Sequence, residues 1–156
     1  MKHEVQKLYH VETTLADALK MLSKMAQNPE LKQALDMHRV ETVGHIGRLQ
    51  KICGKMGWDP IGVPSPTIKA MAMETLTSLN GAEPGPVTDA LIIASAQKSE
   101  HLEIASYGTA RTLARQMGDE EVADLLGQTL EEEKKADAKL TAIAESGINQ
   151  QAAATA

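Results

Sequence analysis

The 156-residue sequence contains no phenylalanine, one tryptophan (Trp58) and two tyrosines (Tyr9 and Tyr107). Aromatic rings therefore cannot fill a core, which must be built from Leu, Ile, Val, Ala and the eight methionines. Cys53 is the single cysteine, which excludes an internal disulfide and suits a reducing cytoplasm. No apolar run approaches the roughly 20 residues of a membrane span, and no signal-peptide pattern opens the chain. Positive charge is also short: 16 Lys and Arg stand against 21 Asp and Glu. The net charge of -5 gives no electrostatic footprint for nucleic acid or an anionic membrane. What remains is the composition and length of one globular domain with one sizeable core. The expectation is a cytoplasmic protein that engages neither nucleic acid nor membrane.

Helical periodicity dominates the chain. From Glu4 to Ala26, Leu8, Leu15, Leu19 and Leu22 recur on one face. Asn28 and Pro29 offer an N-cap and an N1 proline for a second helix that runs to about Met56 and ends at Gly57. Residues 57–66 hold two Gly and three Pro and read as a loop, after which Ser65 and Pro66 start a shorter helix to Leu79. The third long helix spans about Val87 to Met117, and Asp119 caps the fourth, which Gly147 closes. The tail from 148 to 156 is expected to fray, and no convincing strand is seen. These elements predict an all-α, antiparallel four-helix bundle over residues 1–147. The long connection with its extra short helix lets helices two and three run parallel.

Each long helix interrupts its own apolar stripe near mid-length. The intruders are Glu12 on the first; His38, Glu41 and His45 on the second; Glu100 and Glu103 on the third; and Glu133 and Asp137 on the fourth. Any one of them has an ordinary explanation, as a solvated stripe-edge carboxylate or a hydrogen-bonded core histidine. Together they converge, and buried like charges cost several kcal/mol each unless protons or cations intervene. The stripes supply no Lys or Arg at that level. A hard, oxygen-rich site with imidazole nearby suits two divalent ions, iron or manganese. Glu41 and Glu133 are expected to be the bridging, catalytic carboxylates, with Glu12 and Glu103 or Glu100 terminal. His45 is the preferred imidazole and His38 the second choice or an outer partner, while Asp137 is the counterpart of His45 on the fourth helix. His101 falls off this face, and Tyr107 is placed to hydrogen-bond a ligand.

Four stretches carry a resemblance: LYHVETTLADAL (8–19), HRVETVGHIGRL (38–49), ALIIASAQKSEHLEIASYGTARTLARQMG (90–118) and LLGQTLEEEKKADAKLTAIAE (125–145). The chain resembles the bacterial YciF-like proteins of the ferritin-like superfamily over nearly its whole length. That resemblance implies a four-helix bundle with an extra short helix, a rubrerythrin-like dimetal centre, a homodimer and a link to stress responses. The chain departs from the rubrerythrin pattern in two places. It has Glu41-x-x-x-His45 rather than Glu-x-x-His, and Asp137 stands where a second His is expected. Three functions compete: a dimetal protein reacting with oxygen or peroxide, a non-catalytic helical stress protein, and a small iron-storage protein.

Overall fold

In the computed structural model, which describes residues 1–155, every regular element is helical. Helix α1 spans Lys2–Met25, α2 Pro29–Met56, α3 Pro66–Leu79, α4 Pro86–Gln116, α5 Glu120–Ile143 and α6 Asn149–Thr155. The boundaries derive from local chemistry. The Asn28 side chain accepts from the backbone N–H groups of Glu30 and Leu31, and Pro29 occupies a first-turn position whose N–H would be unused. Ser65 and Asp119 accept from the N–H groups of Ile68 and Val122 in the same way. Gly57 ends α2 with φ at 66°, a left-handed conformation that only glycine adopts without strain.

Two hairpins, α1–α2 and α4–α5, pack against each other through α2–α5 and α1–α4 contacts. Neighbouring helices are antiparallel, so α2 and α4 lie parallel across the bundle, and α3 packs against α4 and α1. Asp89 at the start of α4 locks the hairpins together. Its carboxylate accepts from Gln27 N and Asn28 N, both at 2.8 Å, at the α1–α2 corner. No helix among the described residues is long and apolar enough to cross a membrane.

The core is aliphatic and divided. One cluster, with Leu22, Leu35, Ile92, Leu140 and Ile143, fills the end near the α1–α2 corner. A second, with Leu8, Leu49, Ile52, Val122 and Leu126, fills the opposite end around the fully buried ring of Tyr107. Each fully buried Leu or Ile contributes roughly 1.5–3 kcal/mol, so both halves are driven to close. The layer between them is polar.

The last helix goes further than the sequence suggests. Gly147, with φ at 146°, does interrupt α5, through a single π-turn over Ala144–Ile148. Ile148 is buried against the first cluster, and the chain resumes as α6 in contact with α4. The expected tail thus contains a helical turn from Asn149 to Thr155, while Ala156 lies outside the described residues.

Candidate metal centre

The polar layer is built by one helical register from each side of the bundle. Glu12 on α1, His38 and His45 two turns apart on α2, Glu100 and Glu103 on α4, and Glu133 on α5 are all buried. Five of these six form two groups of three, Glu12, His45 and Glu133, and His38, Glu100 and Glu133, with Glu103 beside them in neither group. Glu133 belongs to both. Its Oε1 lies 2.9 Å from His45 Nδ1, and its Oε2 lies 3.5 Å from His38 Nε2. Glu12 Oε1 is 3.3 Å from His45 Nδ1, and Glu100 Oε1 is 3.1 Å from His38 Nε2.

Short distance here does not mean a hydrogen bond. His45 Nδ1, both oxygens of Glu133 and of Glu103, Glu12 Oε2 and Glu100 Oε2 are buried with no aligned partner. Such a concentration of orphaned acceptors in a packed interior is rare, because each costs about 1–3 kcal/mol. The ligand set suits a cation: carboxylate oxygens and imidazole nitrogen face one another, and seven of these atoms have no protein donor aligned on them. The residues fit a metal site.

The outer nitrogens explain how the inner ones are kept free. His38 Nδ1 is 3.3 Å from Glu41 Oε2, and His45 Nε2 is 2.9 Å from Glu132 Oε2. Each outer carboxylate accepts an N–H and so turns the opposite ring nitrogen toward the interior, the arrangement that raises ligand basicity in carboxylate–histidine–metal chains. Glu132 is itself held by Arg48, whose Nη2 donates to Oε1 at 2.9 Å while Nη1 reaches Thr129 Oγ1 at 3.1 Å. The Tyr107 hydroxyl donates to Glu12 Oε1 and fixes that carboxylate from the closed side.

Protons and cations compete for this layer. Burial works against charge on His38, but the adjacent Glu100 and Glu41 outweigh it and raise its pKa to about 11. Burial likewise opposes charge on His45, and contact with Glu12 and Glu133 raises it to about 10. Glu12 and Glu133 rise above the usual carboxylate range because they are desolvated, with His45 opposing the shift. Glu103 rises well above that range, through burial and then repulsion from Glu12, Glu133 and Glu100. Without metal, protons on the imidazoles and acids hold the layer together.

Set beside known proteins, the chain matches over residues 2–153 a family described as a domain of unknown function, DUF892. The chain belongs to the DUF892 family. It is 39% identical to Protein YciF of Escherichia coli (strain K12) over 155 residues, which span 96% of this chain and 91% of YciF. The crystal structure of the E. coli stress protein YciF aligns at a TM-score of 0.89 and 38% identity, over 94% of this chain and 93% of that one. YcfI from Rhodopseudomonas palustris, provisionally described as a structural protein, aligns at 0.86 and 35% identity over 89% and 88%. Protein XCC3681 from Xanthomonas campestris aligns at 0.71 and 25% over 94% and 90%. The likeness to YciF-like proteins expected from the sequence holds, and the all-helical fold agrees with the ferritin-like superfamily.

Within this DUF892 chain, six of the eight expected ligands converge: Glu12, His38, His45, Glu100, Glu103 and Glu133. Glu41 does not join them. Three residues beyond His38 it is rotated roughly 60° around α2, and its side chain is 47% exposed on the α2–α5 flank. Asp137 is also elsewhere. One turn past Glu133 it faces α4, where Gln97 Nε2 donates to its Oδ1 at 3.0 Å and His101 Nδ1 lies 3.5 Å away. His101 is exposed, off the ligand face as expected. Glu132 was not anticipated, since it neighbours Glu133 and falls off the apolar stripe. The available signal was Arg48, three residues after His45 on the same flank, a cation that needs an acidic partner on α5. It also qualifies the reading that no cation stands at this level.

Proposed function

We propose that this chain is a dimetal carboxylate protein that binds two divalent ions, iron or manganese. The observation that carries the reading is the pair of three-residue groups sharing Glu133, lined by buried acceptors without donors. One ion would be held by Glu12, His45 and Glu133, and the other by His38, Glu100 and Glu133. Glu103, whose oxygens are both unpartnered, is available to either. Charge supports the count: four core carboxylates and two neutral imidazoles balance two divalent ions.

A bound redox-active pair would supply electron-transfer chemistry toward dioxygen or peroxide, in keeping with the stress association of YciF. The chain's own residues do the positioning. Glu41 and Glu132 orient the imidazoles, Tyr107 orients Glu12, and the two aliphatic clusters exclude water from above and below. In this reading Glu133 would serve both ions and remains the proposed catalytic carboxylate, whereas Glu41 would act through His38. The protein is proposed to work in the cytoplasm as a homodimer, for which the exposed row of Met37, Val40 and Val43 on α2 offers a surface.

Elemental analysis of protein purified without chelator tests the reading. We expect about two metal ions per chain after titration with Fe(II) or Mn(II), and loss of uptake in Glu133→Gln. Uptake below roughly half an ion per chain leaves a structural role, in which the polar layer only fixes helix register.

A further inference from the structure

A cavity of about 260 Å³ opens beside the polar layer, between α1, α3 and α4. Leu15 and Leu19 of α1 and Ala96 of α4 form its floor, and Ile68, Ala72 and Leu76 of α3 roof it. Its exposed members, Asp17 and Leu76, mark the mouth, while its inner end is closed by the buried side chains of His38 and Glu100. Glu12 and His45, the other group's own members, are fully buried and do not line the cavity. The two ligand groups are therefore unequal. An organic molecule can reach one of them.

We infer that this cavity binds one uncharged, mostly apolar organic molecule, with its polar end toward His38 and Glu100. The exposed wall is mostly apolar, as in most small-molecule sites, and the two buried ionisable groups, His38 and Glu100, lie at the inner end, opposite Asp17 at the mouth. Size argues against a passage for dioxygen alone, because the space holds several times the volume of one water or gas molecule. Charge selects the class. The lining has no Lys or Arg, and its His38 is already held between Glu41 and Glu100, so with Asp17 at the mouth an anion finds no free partner. A cationic end would compete with metal for Glu100. A hydroxyl or carbonyl at the end of a hydrocarbon body meets neither objection. The role of the inner end as a metal position rests on the function proposed above; the cavity itself does not.

The test uses the full chain and 1-octanol as probe, followed by NMR of the protein's alanine and leucine methyl groups. Saturable binding of one octanol per chain is expected, with shifts centred on Leu15, Ala72 and Ala96. Ala72→Phe places a ring in the space from a partly buried position on α3 and should weaken binding by about tenfold or more. Thr75→Leu, also on the lining, provides a second filled variant should the first misfold. Manganese uptake should be unchanged in both. In manganese-loaded protein, the octanol protons next to the hydroxyl should relax faster than the terminal methyl. Absence of saturable binding, equal binding to the filled variants, or relaxation strongest at the methyl end would each overturn the inference. If the protein takes up no manganese, the dimetal reading fails, while the titration of metal-free protein still decides the cavity.

Discussion

Both oxygens of Glu103 are buried without a donor, and three other core acids surround it. Metal-free protein must therefore carry this side chain protonated or bear the full cost of its charge. Glu103→Gln removes that cost while keeping the shape. Its expected effect on the metal-free fold is stabilising, by about 1–4 kcal/mol, or several degrees in Tm at roughly 2–4 °C per kcal/mol for a chain of this size. Metal uptake should fall in the same variant. Thermal melts of the two proteins in chelator check the first half, and an unchanged or lowered Tm would mean that Glu103 is already compensated. The outer acids behave differently. Glu41→Ala and Glu132→Ala should leave stoichiometry intact but weaken metal affinity by about 10–100-fold, since they act on ring orientation and basicity. Competition titration against a chelator dye distinguishes these losses from the abolition expected for Glu133→Gln. At this scale the apolar stripe exposed six converging residues in the sequence. It could not separate Glu41 from them, because a residue at i+3 shares a helical face only to within about 60°, and the neighbouring helix decides which side of that margin is wet.

The elements are set by their ends. Asn28 with Pro29, Ser65 with Pro66, and Asp119 all act as the sequence suggests, since caps and prolines are local chemistry. Gly147 also breaks its helix, but the path of the chain beyond it depends on tertiary contact, with Ile148 inserted in the first cluster. Nothing local in the tail announces that. Asp89 is a similar case: an acid in the first turn of α4 reads as a helix-dipole partner, whereas its carboxylate bridges to the α1–α2 corner 61 and 62 residues away. Asp89→Ala leaves Gln27 N and Asn28 N without acceptors in a protected corner. A loss of about 1–3 kcal/mol is expected, read as a lower denaturation midpoint with metal stoichiometry unchanged. Loss of metal together with stability would place the corner in control of the site.

At the scale of the whole molecule, two aliphatic clusters enclose a charged layer, so stability and metal binding must respond to pH in opposite directions. The folded pKa values of His38 and His45, about 11 and about 10, lie above the ordinary 6.5. In metal-free protein their protonated forms stabilise the fold fully below pH 6.5, and this contribution is lost as the pH rises through about 10–11. Glu12, Glu103 and Glu133 are also raised, from an ordinary 4.5, so increasing pH charges them at the expense of the folded state. Both sets give the same sign: metal-free Tm should fall from about pH 6.5 upward. Metal needs the imidazoles neutral and the carboxylates ionised, so its binding strengthens over the same range and releases protons. The gain in Tm on adding manganese should therefore widen between about pH 6 and pH 9. Melting curves with manganese and with chelator across that range measure it, and proton release into weak buffer provides an independent count. Parallel curves would show that protons and metal do not share this layer, and the two-ion reading would have to be given up.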